Sequence, residues 1–342
     1  MLGVSLAKPL NTLILAYRLM NAIDVRGVSK DFTAKVKPPG LWNSLKSLAR
    51  PQYKNVRAVK NINIQIKQGE LVGFIGPNGA GKSTAIKMMT GILHPSRGKI
   101  KVLGYNPQEQ RQDLAFHIGA IFGQRQQLLY HLPAMDTFEL FAKVYELDDG
   151  DFRKRVGELV KIFKIDELVN TPVRKLSLGQ RMRCEFVASI LHKPEVLFLD
   201  EPTIGLDIIA KRRVRELVKK LNKEENLTVI LTSHDLDDIE ELCPRVIVIN
   251  KGKVLYDGSM EKMRKRITTK IVEFHLAEQA NKIPTIPGVK VLAHTPALVK
   301  LEVNKRRAPV RKVLSAFMAA CKVADVVIEE PPIEEIIEKL YQ

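Results

Sequence analysis

Apolar and polar positions along the chain divide it into two regimes. Through residue 259, short unbroken apolar runs alternate with longer stretches of helical spacing. The runs at 70–75, 196–199 and 227–231 predict buried strands, and 23–30 predicts a first strand ahead of them. Residues 84–90 predict the opening turns of a helix. Residues 136–145 and 151–164 place apolar side chains at helical spacing, so about 125–190 reads as a mainly helical region. Residues 208–221 predict a long helix whose Lys and Arg form its solvated face. After residue 259 the periods shorten. Strands are predicted at 270–276, 289–294, 298–303 and 323–328, and helices at 308–321 and 333–340. That order reads as a small α+β sandwich over 261–342. A turn over 284–288, rich in Pro and Gly, separates two of its elements.

The first chemistry lies where the strand at 70–75 meets the helix at 84. Gly76, Pro77, Asn78, Gly79, Ala80, Gly81, Lys82 and Ser83, followed by Thr84, read G-x-x-x-x-G-K-S. Strand, glycine loop and helix form a phosphate cradle. Backbone amides point inward, the helix start adds positive dipole, and glycine removes the Cβ that would block close approach. In such a loop Lys82 neutralises the β- and γ-phosphates of ATP and Ser83 ligates Mg2+. The run at 196–199 ends in Asp200 and Glu201. A carboxylate there reaches toward Ser83 and holds the metal, and Glu201 is placed to polarise an attacking water. Pro202 and Thr203 follow at once, so a loop rather than a helix cap is predicted after the acids.

Three more segments follow in fixed order: Leu176-Ser177-Leu178-Gly179-Gln180, Gly205-Leu206-Asp207, and Thr232-Ser233-His234-Asp235. Over residues 22–260 the set resembles an ATP-binding cassette (ABC) transporter ATPase. The resemblance implies a P-loop NTPase α/β fold with a RecA-like core, an antiparallel β subdomain and a helical subdomain at about 125–190. It implies head-to-tail homodimers of cassettes, with Ser177, Gly179 and Gln180 of one copy closing over nucleotide held by the other. Asp207 crosses that seam, and His234 holds the attacking water with Glu201. The other six histidines lack such context and read as structural or exposed. Ile121-Phe122-Gly123-Gln124 resembles the family's glutamine loop, with Gln124 sensing metal and water. Gly123 reads as an insertion there, and Gln126 and Gln127 leave the register open. Phe32 and Tyr53 both sit where the family stacks an aromatic on adenine.

Composition sets the surroundings. The net charge is +17, and three scattered cysteines, Cys184, Cys243 and Cys321, show no metal or disulfide spacing. From Phe32 to Gly69 there is no acidic residue but eight basic ones. This basic insertion, 33–57, carries Leu41, Trp42, Leu45 and Leu48 as an apolar stripe. It reads either as an amphipathic helix against a membrane or permease, or as a solvated loop over its own domain. No nucleic-acid-binding signature accompanies the charge, so no nucleic-acid partner is expected. Residues 1–21 form an N-terminal extension, broken by Pro9 and Asn11 and too short in apolar length to span a bilayer. Met20 offers an alternative start.

The resemblance implies an exporter ATPase, closest in its Gln-loop and pre-signature segments to the daunorubicin-resistance type. It implies a separate transmembrane permease and a peripheral position on the cytoplasmic face of the cell membrane. A soluble cassette acting on ribosomes or nucleic acid is the alternative; a single phosphate loop and the lack of a long heptad insertion argue against it. No catalytic constellation marks the tail, where His275 and His294 lie far apart. One departure stands out: Leu178 occupies a signature position that is usually glycine. If that position needs positive φ, leucine strains it. Leu178→Gly is then expected to keep or raise ATPase activity in a steady-state assay, and a loss beyond about tenfold marks a positive role for Leu178.

Overall fold

The structure, a computed structural model, describes residues 21–36, 52–123, 126–233, 235–265, 268–280 and 283–341. Two units divide after Asp257. In the first, β1 (Ile23–Val36) pairs antiparallel with β2 (Gln52–Ile66), and next come β3 (Leu71–Ile75) and α1 (Lys82–Met89). They are followed by β4 (Arg97–Val102), α2 (Arg111–Ala115), β5 (Ile118–Phe122), α3 (Ala134–Val144) and α4 (Asp149–Phe163). Then come α5 (Leu178–Ile190), β6 (Val196–Asp200), α6 (Ile208–Glu225), β7 (Thr228–Thr232), α7 (Leu236–Leu242), β8 (Arg245–Asn250) and β9 (Lys253–Ser259).

These strands form two sheets. One is antiparallel, in the order β2-β1-β4; the other has six strands in the order β5-β6-β7-β3-β8-β9. The pairs β5–β6, β6–β7, β7–β3 and β3–β8 are parallel. Parallel strands bury both faces, which is why 71–75 and 228–232 are buried at every position and read as continuous runs. The main core packs Phe74, Phe198, Ile230 and Ile247 of this sheet against Ile86 and Met89 of α1 and Ile23 and Ile64 of the antiparallel sheet.

Three helices, α3, α4 and α5, carry the segment between β5 and β6. Asp148 caps α4 by accepting from the amides of Gly150 and Asp151. Arg155 of α4 is buried and bridges both oxygens of Glu225, at 2.7 and 2.9 Å, so the middle of α4 is tied to the end of α6. The predicted insertion is entered along a longer hairpin than its boundaries suggest: β1 runs on to Val36 and β2 begins at Gln52. The apolar stripe at 41–48, the extension 1–20 and the Met20 start lie outside the described residues.

The second unit contains α8 (Met260–Lys265), β10 (Thr269–Leu276), β11 (Val289–His294), β12 (Leu298–Asn304), α9 (Val310–Ala320), β13 (Val323–Glu329) and α10 (Ile333–Tyr341). Its sheet is antiparallel in the order β11-β12-β10-β13. Alternate residues Val272, Phe274, Val299 and Leu301 face a core completed by Val313 and Phe317 of α9. Phe274 and Phe317 stack with ring centroids 4.6 Å apart. This is the small α+β fold that the short periods after residue 259 predict.

Candidate functional site

Aligned strand ends make the floor of the site. Register sets Asp200 beside Phe122 on one flank and Thr232 on the other, and Thr232 beside Phe74. The crevice beyond the carboxyl ends of such a sheet is where α/β folds bind ligands. From Ile75 the chain turns through the glycine loop and returns as α1 at Lys82. Gly79 and Gly81 have φ of 76° and 108°. A Cβ on Gly81 would sit 2.6 Å from the Ala58 carbonyl oxygen, and one on Gly76 would sit 2.3 Å from that of Ile249. Glycine is therefore required by backbone on both sides. The β8–β9 turn braces the loop: the Gly252 amide donates to the Ala80 carbonyl at 2.9 Å, and Lys60 N donates to Gly252 O at 2.7 Å.

Helix α1 opens with Lys82, Ser83 and Thr84, and no side chain caps it. Its leading amides are the orphan donors that suit an anion. Lys82 is 5% exposed, and its Nζ donates to Gly76 O at 2.6 Å and Pro77 O at 3.3 Å. Burial lowers its pKa, an effect that the nearby Glu201 and Asp200 carboxylates oppose. Asp200 Oδ1 accepts from Ser83 Oγ at 3.2 Å and from Thr232 Oγ1 at 2.6 Å. Glu201 N donates to Thr232 Oγ1 at 3.1 Å. Glu201 takes φ of 58°, in the left-handed region that non-glycine residues rarely occupy. That sharp turn carries the chain away from β6 at once, and a turn rather than a helix follows.

The signature segment starts α5. Ser177 is its N-cap, accepting from Gln180 N at 3.3 Å, while Gln180 Oε1 accepts from Ser177 N at 2.8 Å. This reciprocal capping box fixes both residues. Leu178 is the first helical residue and does not have positive φ. The strain expected of leucine is therefore absent, because a helix start needs no left-handed residue. Leu178 instead packs over the turn at Gly205, where an added Cβ would lie 2.6 Å from its Cδ2. Gly179 faces Leu206 and Ala210, whose side-chain carbons would lie 3.8 and 3.7 Å from an added Cβ. Asp207 caps α6, accepting from Ala210 N at 2.7 Å.

Gln124 and His234 lie outside the described residues. Gly123 is packed against the end of β6, with its amide 2.8 Å from Asp200 O and an added Cβ 2.7 Å from Glu201 O. It is a fitted position rather than a spare residue in the loop. Gln127 donates its side-chain amide to Ala120 O at 2.5 Å. On either side of 234, Ser233 Oγ accepts from the Asp235 amide at 3.0 Å, and Asp235 pairs with Lys211. Fully buried Asp238 accepts from Thr203 Oγ1 at 2.6 Å and from Arg215 at 2.8 Å, binding the loop after Glu201 to α6 and α7.

The two aromatic candidates lie on opposite faces of the β1–β2 hairpin. Phe32 pairs with Val56 and Tyr53 with Lys35, three residues further along an unshifted ladder. Phe32 is half-buried with Lys30 Nζ 5.1 Å from its ring centroid, whereas Tyr53 is 63% exposed. Sequence reasoning did not single out Thr232, Gly252, Thr203 or Asp238. Thr232 carried a visible signal, a hydroxyl closing an apolar strand. The others act through contacts with distant parts of the chain and leave no local trace.

Glycines that a Cβ would jam, uncapped amides, a buried lysine, and a hydroxyl–carboxylate pair fit phosphate groups and a hard, oxygen-seeking cation. Fold and site together define a P-loop nucleotide-binding ATPase of the cassette type. The family described as ABC transporter matches residues 59–204. The ABC transporter ATP-binding protein NatA of Bacillus subtilis (strain 168) is 33% identical over 210 residues, spanning 61% of this chain and 85% of that protein. The daunorubicin resistance ATP-binding protein DrrA3 of Streptomyces coeruleorubidus is 29% identical over 293 residues, 84% of this chain and 92% of that protein. A solved dimeric ATP-binding cassette in a post-hydrolysis state, bound to ADP and Pi, superposes with a TM-score of 0.58 at 26% identity, over 70% of this chain and 98% of that one. The chain belongs to the ABC transporter ATP-binding family and is an ATP-binding, ATP-hydrolysing subunit.

Because Phe32 and Tyr53 face opposite ways, only one can stack on a given base. Of Phe32→Ala and Tyr53→Ala, one is expected to weaken ATP binding by about 1–2 kcal/mol and the other to leave it unchanged, as read by titration calorimetry.

Proposed function

We propose that this chain drives export through a separate transmembrane permease, working as a homodimer with Mg2+ on the cytoplasmic face of the cell membrane. Direction rests on the likeness to the daunorubicin resistance protein, which extends over most of both chains. Among the described residues no helix is long and apolar enough to cross a membrane. The observation that carries the site reading is the meeting of Asp200, at the end of β6, with Ser83 and Lys82 at the start of α1.

Each residue then has a task. The amides of 79–84 and Lys82 bind the phosphates. Lys82 leaves the carbonyls of Gly76 and Pro77 to do so. Ser83 and Asp200 would hold magnesium, and the family resemblance gives Gln124 the task of sensing it. The metal would supply positive charge to neutralise the phosphates. Glu201 orients the attacking water and holds its proton at the carboxylate, a task that the family resemblance shares with His234. Ser177, Gly179 and Gln180 of the second copy close the site, and Asp207 crosses the seam. Either Phe32 or Tyr53 supports the adenine.

Glu201→Gln is expected to bind ATP, accumulate as a dimer in size-exclusion chromatography, and hydrolyse at least about a hundredfold more slowly. A wild-type rate in that variant would refute the water-orienting role. Lys82→Ala is expected to lose turnover together with nucleotide affinity. Pull-down of the native chain should recover a multi-span membrane protein; recovery of ribosomes instead would overturn the export reading.

A further inference from the structure

Three consecutive backbone amides, those of residues 127–129, are satisfied by side chains from other elements. Gln127 N donates to both oxygens of Glu185, at 3.1 and 3.2 Å, and Leu128 N donates to Oε1 at 3.5 Å. Leu129 N donates to Thr137 Oγ1 of α3 at 3.0 Å. The Gln127 side chain reaches back to Ala120 of β5. One short segment is thus anchored at once to the core sheet, to the first helix of the helical region, and to the helix that begins with the signature.

Glu185 is the unusual member. It is 4% exposed and lies between Cys184 and Phe186, both fully buried. Burial pushes its carboxyl up to about 7, against the pull of the two amides and of Arg181. A carboxylate out of water is unfavourable unless its lone pairs are used, and an apolar side chain of similar volume would fill the same space without that penalty. Packing therefore does not account for the residue. Its hydrogen bonds do: two amides that would otherwise be buried without acceptors.

We infer that Glu185 is a positioning residue, latching residues 127–128 to α5 so that the signature helix and the segment leaving β5 move as one body. Exposed Leu129, Tyr130 and Leu132 follow directly, so a push on that surface is delivered to the helix capped by Ser177. Glu185 itself does not touch the phosphate loop. This consequence rests on the ATPase reading above, whereas the latch does not.

The test compares Glu185→Gln and the apolar filler Glu185→Met with the wild-type full-length chain. Hydrogen exchange followed by mass spectrometry reads the peptide spanning 126–130, and Mg-ATP hydrolysis is measured in parallel. Exchange in that peptide is expected to rise about tenfold while α5 stays protected, with kcat falling several-fold and KM for ATP within about twofold. Unchanged exchange at 126–130 in either folded variant overturns the latch. Faster exchange with unchanged kcat overturns its role in coupling. A joint loss of kcat, ATP affinity and α5 protection shows a plain structural residue and also overturns it. If the wild type hydrolyses no ATP, the functional reading fails while the exchange arm still judges the latch.

Discussion

One carboxylate organises the site. Asp200 Oδ1 receives the hydroxyls of Ser83 and Thr232, so a single oxygen joins the helix after the glycine loop to the ends of two strands. That geometry depends on the parallel registers of β5, β6, β7 and β3, which bring Phe122, Asp200, Thr232 and Phe74 into one row. A shift of one residue would turn Asp200 to the other face of the sheet. Burial is unbroken along β3 and β7, and the register of the row sets where the chemistry sits.

Around that row, backbone rather than side chains shapes the cradle. Gly76 and Gly81 are pressed against the carbonyls of Ile249 and Ala58, and Gly252 holds Ala80. The loop is therefore held by the turn between the last two strands of the sheet and by β2. Such support makes the cradle preformed, which lowers the conformational cost of binding.

Much of this was legible in the chain itself. The glycine loop, Asp200 with Glu201, and the short periods after residue 259 are local signals, and each appears as expected in its element. The alternating core of the last unit, with Phe274 against Phe317, follows directly from period-two spacing. What was not legible depends on partners far away in sequence. Gly123 looked superfluous until its amide met Asp200 O, and Leu178 looked strained until it proved to begin a helix. Gln127 is one of three glutamines within residues 124–127, and nothing local marks it as the one whose side chain turns to Ala120. Asp238, buried among Thr203, Ser233 and Arg215, carries no motif at all.

Glu201 holds a backbone conformation that asparagine, aspartate or glycine would adopt more readily. Relaxed variants at this position are therefore close at hand, and each shortens or removes the reach of the carboxylate. On the water-orienting role proposed for Glu201, the identity of residue 201 in a descendant would record whether that copy still runs as a motor or has settled into a nucleotide-binding clamp.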